Sequence, residues 1–188
     1  MDGKMVLADC KNDNFTPKNY DIWYVERDSI NGKWSSPINV GKNINSLSDE
    51  FYPSVSSSGN LYFTSLRKGG YGEDDIIYMS ERKKNVYQLA LPLSDKINTL
   101  TYEFNSFISP DESFVIFCGY NRKDGQGSGD MYISIKDNNL NCSEVQNLGQ
   151  CDSKYMDYSP FVDLNTNTIY FTSRRSNEDA INQISNKL

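Results

Sequence analysis

The sequence predicts an all-β protein built from repeated units of four short antiparallel strands. Phe63, Phe117 and Phe171 follow one another at intervals of 54 residues, and the residues around them recur as well. The recurring segments are rich in Val, Ile, Tyr and Phe, alternate apolar with polar residues, and are separated by clusters of Gly, Asn, Asp and Ser. A helical period is absent before the last dozen residues, so strands account for the predicted fold.

Each period contains four strand segments, which we number first to fourth within a unit. The second strand carries the repeated phenylalanine, which Leu7 replaces near the start of the chain. In the first strand, Pro53, Ser106 and Pro160 are equivalent. The segments are 43–56, 96–109 and 151–163 for the first strand; 5–11, 61–67, 115–121 and 169–175 for the second; 20–27, 74–82 and 129–136 for the third; and 33–41, 86–94 and 142–149 for the fourth.

Such a unit of about 50 residues, with connections too short for parallel crossovers, predicts a β-propeller whose four-stranded blades pack face to face. The strand segments amount to just over three blades, whereas closed propellers have about four to eight. We therefore expect one incomplete propeller, either a fragment of a longer ring or an open arc whose exposed blade faces favour self-association. The predicted parts are blade 1 (about 1–46), blade 2 (about 47–99), blade 3 (about 100–153), a partial blade 4 (about 154–175) and a tail (176–188).

The tail has two open interpretations. Ser176 followed by Asp179 resembles a helix-capping pair, and Ile181, Ile184 and Leu188 line one face of a helix. A short terminal helix could therefore cap the open end of the propeller. The tail could equally be frayed, since isolated helices of this length are marginally stable.

The composition excludes several functional classes. Because the chain has no histidine, it cannot form a Ser/His/Asp or Cys/His triad or an imidazole metal site. A net charge of −6 without a basic run argues against nucleic acid and anionic membranes as partners. No apolar stretch approaches the roughly 20 residues that span a bilayer, so we expect no membrane insertion. We expect no cofactor; acid and amide clusters at 9–14 and 73–75 could offer oxygen ligands to Ca²⁺, but their spacing matches no calcium loop.

Cysteine and aromatic side chains are expected mostly in the packed interior. The four cysteines show no metal-binding spacing, and we interpret them as free thiols; a Cys142–Cys151 disulfide would require the intervening segment to turn back. Aromatic residues at equivalent strand positions are expected to lie between blades. These residues are Cys10, Cys118, Cys142 and Cys151, and Trp23, Trp34, Tyr78, Tyr87 and Tyr132.

One face of the predicted propeller collects the candidate functional residues. In a meander, the second-to-third connection and the crossover to the next blade emerge on the same side, which we call the loop face. Repetition favours a structural role for its charges, because a fold needs such a group in every unit whereas catalysis needs one special site. Tyrosines there could stack against a ligand. The candidates are Glu50, Glu103 and Asp157 at crossovers, Asp21, Asp75 and Asp130 at third strands, Arg67 and Arg175 at the ends of second strands, and Tyr20, Tyr71 and Tyr120.

Two sequence patterns carry a family resemblance. Residues 50–67 follow the pattern ExxPSVSSSGxLYFTSxR and residues 70–78 follow GxGxxDIxY, with an INS or INT element before each ExxP. The chain thereby resembles the WD40-like propeller repeat called PD40, found in the propeller half of TolB and in many surface or periplasmic proteins of Bacteroidetes. This resemblance implies an extracytoplasmic setting, although the first residues lack the pattern of a signal peptide.

Three hypotheses about function remain open at this point. The first is a non-enzymatic binding or scaffold propeller that recognises a protein, peptide or glycan through the loop face. The second is a carbohydrate-active propeller enzyme, because glycoside hydrolysis needs only a pair of carboxylates. The third is a fragment of a larger propeller protein without independent function.

Overall fold

Every strand pairing in the described part of the chain is antiparallel within its sheet. The computed structural model describes residues 19–69, 75–136 and 144–178, together with the backbone of one earlier strand. The strands are β1 (Lys4–Ala8), β2 (Ile22–Glu26), β3 (Ile38–Asn39), β4 (Glu50–Val55), β5 (Leu61–Ser65), β6 (Ile76–Ser80), β7 (Arg82–Lys83), β8 (Val86–Tyr87), β9 (Leu91–Pro92), β10 (Tyr102–Ile108), β11 (Phe114–Tyr120), β12 (Gly129–Ile135), β13 (Gln146–Asn147), β14 (Asp157–Asp163) and β15 (Thr168–Ser173).

The strands form four successive meandering sheets. The first sheet is β1-β2-β3, the second β4-β5-β6-β9, the third β10-β11-β12-β13 and the fourth β14-β15. This is the grouping into three, four, four and two strands that the sequence predicts, and none of these sheets closes on itself. The protein is therefore all-β in its described part. Most of the predicted tail helix lies outside the described residues.

A two-stranded hairpin, which we call the accessory hairpin, corrects one predicted strand. The sequence assigns 86–94 to a fourth strand, but only β9 pairs with β6, whereas β8 pairs with β7. The reason is the turn between β7 and β8, where Lys84 and Asn85 have φ of 48° and 66°. Two consecutive left-handed residues make the tight turn that suits the twist of a hairpin. The chain thus reverses before it returns to the sheet.

The first strands of the second, third and fourth sheets contain the same backbone irregularity. Tyr52, Asn105 and Ser159 have φ of 54°, 52° and 53°. At these places the register of β4, β10 and β14 shifts against the second strand. A left-handed residue inside a strand produces a β-bulge that bends it. The predicted equivalence of the following residues in the three first strands is therefore confirmed at the level of the backbone.

The second sheet is buried on both faces between its neighbours. Alternate residues of its strands enter two apolar clusters, because successive side chains of a strand point to opposite sides. The cluster toward the first sheet contains Phe63 and the one toward the third sheet contains Tyr62. The first cluster comprises Ile22, Ile44, Leu61, Phe63, Ile76, Tyr78 and Ala90, and the second Tyr62, Ile77, Ile97, Ile108, Val115, Phe117 and Tyr132.

Most of the predicted interior aromatic residues are packed, with one exception. Tyr78 and Tyr132 are buried, and Trp23 and Tyr87 are half-buried. Trp34, which precedes β3, is 48% exposed; it pairs with Arg27 in an isolated bridge, and the guanidinium lies 5.9 Å from its ring. Trp34 is thus the exception to the prediction that most of these aromatic residues are packed.

Of the cysteines, Cys118 is a buried free thiol and Cys151 is half-buried. Burial raises the pKa of Cys118, so its reactive thiolate is disfavoured. Cys10 and Cys142, and with them the question of a disulfide, lie outside the described residues.

Glu112 joins the second and third sheets at the turn between β10 and β11. Its Oε1 accepts hydrogen bonds from Ser56 Oγ at 2.7 Å, Ser58 Oγ at 2.6 Å and Asn60 Nδ2 at 2.8 Å. Its Oε2 accepts from Tyr62 at 3.0 Å and from Lys136 at 3.3 Å. Burial alone would raise the pKa of this carboxyl, but the hydrogen bonds outweigh it and lower the pKa to about 2.

We predict that Glu112→Gln destabilises the protein by about 1–3 kcal/mol, because the neutral amide cannot accept all of these hydrogen bonds. Urea unfolding measures the change. Since the folded pKa lies below the ordinary value of 4.5, the contribution is present above that pH and is lost as the pH falls toward 2. The control is Glu144→Gln, which removes an exposed ion pair with Lys96 and should cost less than about 1 kcal/mol. Equal losses in the two variants would contradict the assignment.

Candidate functional site

Glu50, the first of the predicted loop-face acids, lies inside the protein. It is fully buried at the start of β4. Its carboxylate accepts hydrogen bonds from the amide and hydroxyl of Ser46, at 2.8 and 2.6 Å, and from the hydroxyl of Ser65 at 2.8 Å. The guanidinium of Arg67 completes the set at 3.0 Å. Glu50 therefore ties the incoming crossover to the first and second strands of its sheet.

Arg67 makes three kinds of contact at once. Besides the carboxylate of Glu50, it donates to the backbone carbonyl of Ile44 in the crossover. Its guanidinium also lies 5.4 Å from the ring centre of Phe63 and 4.7 Å from that of Tyr78. A planar guanidinium can pair with a carboxylate along its edge and stack on aromatic rings through its face. We call this combination of carboxylate, arginine, carbonyl and ring the arginine clasp.

The third sheet repeats the arginine clasp around Glu103. This buried carboxylate accepts from the amide and hydroxyl of Thr99, at 2.8 and 2.6 Å, and pairs with Arg122 at 3.1 Å. Arg122 donates to the carbonyl of Ile97 at 2.6 Å and covers the rings of Phe117 and Tyr132, 5.2 and 4.6 Å away.

Arg122 is a residue that the sequence prediction missed. It follows the repeated phenylalanine by five residues, whereas Arg67 and Arg175 follow theirs by four. The extra residue is accommodated at Asn121, which has a left-handed φ of 52°. The signal that could have revealed it is the Asn-Arg pair directly after the strand.

The fourth sheet carries the third arginine clasp. Asp157 is fully buried and accepts from the amide and hydroxyl of Ser153, both at 2.7 Å. Arg175 pairs with it at 3.2 Å, donates to the carbonyl of Cys151 and lies 5.4 Å from the ring centre of Phe171. All three crossover acids are thus enclosed and engaged. The arrangement explains how they stabilise the fold and gives a surface ligand no access to them.

The aspartates before the third strands occupy different environments. Asp21 is half-buried and accepts from Asn39 at 2.9 Å. Asp75 is half-buried, and its carbonyl accepts from the amide of Glu103 at 2.9 Å, which links the second sheet to the third. Asp130 is fully buried and accepts from the amides of Gln126 and Gly127. These aspartates therefore organise the ends of the sheets, as the structural interpretation expects.

The loop-face tyrosines are more accessible than the acids. Tyr20 is 37% exposed and Tyr120 is half-buried, whereas Tyr71 lies outside the described residues. The structure adds two exposed rings that the sequence prediction missed, Tyr52 and Tyr102. Tyr102 contacts Tyr120 edge to face with ring centres 5.8 Å apart.

Tyr52 lies beside the third sheet, with its ring centre 6.4 Å from that of Phe104. Burial raises the pKa of Tyr52, and the charge of Asp75 raises it further. Exposed tyrosine rings therefore occur at the starts of both β4 and β10.

In the third repeat an aspartate replaces the asparagine that the other two repeats place beside the third strand. In the first two repeats an asparagine binds the backbone of the third strand from both sides. Asn45 accepts a hydrogen bond from the amide of Ile22 at 2.9 Å and donates one to its carbonyl at 3.0 Å. Asn98 makes the same two hydrogen bonds, at 2.9 and 3.0 Å, with the backbone of Ile77. An asparagine side chain suits this position because it carries one acceptor and one donor.

Asp152 takes the asparagine position in the third repeat. Its Oδ1 accepts from the amide of Met131 at 2.9 Å, but its buried Oδ2 has no hydrogen-bond partner among the described residues. Burial raises the pKa of Asp152 to about 6, and the negative charges of Asp130 and Asp157 act in the same direction. The hydrogen bond from the Met131 amide and the charge of Arg175 oppose this rise. Protonation would give Oδ2 the donor that asparagine has in the other repeats.

Buried carboxylates do not converge on an open cleft in the described part of the chain. Asp152 and Asp157 each have one oxygen without a hydrogen-bond partner, which makes them the nearest approach to an acid pair. Both are buried, however, and Asp157 belongs to an arginine clasp. The segment above them is tightly packed, since a Cβ on Gly127 would lie 2.0 Å from the carbonyl oxygen of Tyr155.

Neither a cluster of metal ligands nor a membrane-spanning helix is found among the described residues. Among them, no three Cys, Asp or Glu side chains come together as ligands for a metal ion. No helix within these residues is long and apolar enough to cross a membrane. The cluster at 9–14 and most of the cluster at 73–75 lie outside them. No model of a known protein family and no curated protein matches this chain.

We predict that Arg122→Lys destabilises the protein by about 2–4 kcal/mol, because one ammonium cannot serve a buried carboxylate and a carbonyl while covering two rings. Guanidinium chloride unfolding measures the loss. Arg27→Lys is the matched control, since Arg27 is exposed beside Trp34, and it should change stability by less than about 0.5 kcal/mol. If Arg122→Lys behaves like this control, the arginine clasp does not hold the sheet together.

We predict that Asp152→Asn stabilises the protein by about 1–3 kcal/mol at pH 8 and has little effect at about pH 3, because only the ionised aspartate lacks the donor. The folded pKa of about 6 exceeds the ordinary 3.8, so wild-type stability falls as the pH rises between these values. Thermal unfolding from about pH 3 to pH 8 tests the prediction. The reciprocal Asn98→Asp should lose stability at pH 8 and recover part of it toward pH 5. A pH profile unchanged in both variants would contradict this explanation.

Proposed function

We propose that this chain is a non-enzymatic binding module of the PD40 propeller type, which recognises a protein, peptide or glycan through its loop face. The observation that carries the proposal is the division of roles on that face. The crossover acids are buried within arginine clasps, whereas Tyr20, Tyr52 and Tyr102, which do not recur in every repeat, are exposed. Tyrosine gives a large contact area at a low entropic cost.

The propeller architecture is part of the proposal. Support comes from the successive four-stranded meanders, their face-to-face packing and the bulge repeated at equivalent positions. An incomplete ring would expose sheet faces, so we further propose that a longer parent ring or a second copy covers them. The extracytoplasmic setting likewise follows only from the resemblance to PD40 repeats.

We predict that a double variant, Tyr52→Ala with Tyr102→Ala, loses the binding that the wild-type chain shows on glycan and peptide arrays. These rings are 44% and 39% exposed and each contacts another ring, so the melting temperature is measured beside binding to show that the variant remains folded. The control is Tyr170→Ala, a 57% exposed ring on β15, which should retain binding. Binding that survives in the double variant would exclude the tyrosines as the contact surface.

The enzymatic alternative is tested on the same material. Incubation of the chain with polysaccharides and measurement of new reducing ends should give no signal above a blank. Hydrolysis that disappears in Asp152→Asn or Asp157→Asn would overturn the non-enzymatic proposal.

A further inference from the structure

A cleft of about 560 Å³ lies between the first and second sheets, and none of the loop-face tyrosines is among the residues that line it. Such a volume is typical of sites for small molecules. One wall comes from the first sheet and the crossover after it, including Tyr24 and Lys42. The other comes from β4 and the accessory hairpin, including Pro53, Arg82 and Tyr87.

The charge of the cleft is opposite to that of the whole protein. The chain has a net charge of −6, yet no Asp or Glu is among the residues that line the cleft. Arg82 and Lys42 are its two cations. Neither has a carboxylate within ion-pairing distance among the described residues. The cleft is therefore suited to an anion.

Arg82 is held in place at the cleft wall. Its backbone amide donates to Asn60 at 2.8 Å, and its guanidinium lies 5.9 Å from the ring centre of Tyr87. The side chain packs against Gly59, where an added Cβ would lie 3.0 Å from Cδ of the arginine. Its Nε is buried and has no hydrogen-bond partner. Because this nitrogen has no accessible surface, a ligand in the cleft would meet the terminal nitrogens of the guanidinium instead.

Comparison with the arginine clasp shows which partner is missing. Arg67 and Arg122 each stack on aromatic rings and pair with a carboxylate. Arg82 has the ring, in Tyr87, but no carboxylate. A ligand carboxylate would complete the same set of contacts, and the guanidinium edge is the group best suited to bind it.

The aromatic part of the cleft narrows the ligand class. Burial raises the pKa of Tyr87, Arg82 opposes the rise and Tyr24 adds to it, as expected for two neighbouring rings. Asn43 fixes Tyr87 by donating to its carbonyl at 2.7 Å. Rigid rings beside a cation suit a ligand that has both an apolar ring face and a carboxylate.

We propose that this cleft binds a carboxylated saccharide, a uronic-acid unit, with Arg82 pairing with the carboxylate and Tyr24 and Tyr87 contacting the sugar ring. None of the loop-face tyrosines lines this cleft, so it can bind a ligand whether or not those tyrosines do.

The test is isothermal titration of the full chain with trigalacturonate, beside neutral maltotriose, acetate and phosphate. We expect trigalacturonate to bind, the neutral trisaccharide to fail and the small anions to bind at least about tenfold more weakly. Arg82→Gln should weaken binding about tenfold or more. Tyr87→Leu and Lys42→Gln should weaken it as well and provide a readout if Arg82→Gln unfolds.

The matched control is Lys83→Gln. Lys83 belongs to the same hairpin, is exposed and pairs with Glu81 at 2.8 Å, and it does not line the cleft. Its binding should be unchanged. The proposal fails if trigalacturonate does not bind at concentrations up to about 10 mM. It also fails if acetate or phosphate binds as tightly, or if Arg82→Gln and Lys83→Gln have equal affinities.

Discussion

The rest of the structure depends on the pairing of a buried carboxylate with an arginine that also covers an aromatic ring. Burying a carboxylate is costly unless it is paired and hydrogen-bonded, so Glu50 requires Ser46, Ser65 and Arg67 together. These groups lie on the crossover, the first strand and the end of the second strand. One charge therefore connects the crossover that enters the sheet with the first two strands of that sheet.

The repeats differ from one another mainly at positions that do not take part in the arginine clasps. Asn98 and Asp152 occupy equivalent places, yet one is neutral and the other has a raised pKa near 6. Glu112 joins two sheets through hydrogen bonds to the turn of the neighbouring sheet, and Tyr52 exposes a ring where the equivalent residues are asparagine and serine. Differences between units, rather than their shared pattern, are therefore where specific properties arise.

The sequence predicts the strands well because their signals are local and repeated. The interval between Phe63 and Phe117 sets the register, and alternation sets the buried faces. Other features depend on backbone conformation or distant contacts. A tyrosine such as Tyr52 gives no sign in the sequence that its φ is left-handed. Arg122 is shifted by one residue relative to Arg67, so an alignment of the repeats does not match the two arginines. The hydrogen bonds of Glu112 exist only when the two sheets are packed together. The cleft could not be predicted from the sequence for the same reason, since its walls come from separate sheets.

Arg82 differs from the clasp arginines in a way that links stability to binding. Arg67 and Arg122 donate to carboxylates of their own chain, so their interaction energy contributes to folding. Arg82 is equally constrained, by Gly59 and Tyr87, but its buried Nε donates to nothing described. Leaving a buried donor unsatisfied costs about 1–3 kcal/mol, which the free protein bears. A carboxylate bound in the cleft would pair with the terminal nitrogens of Arg82, and ligand binding would then also stabilise the fold, because the unfolded chain has no such site.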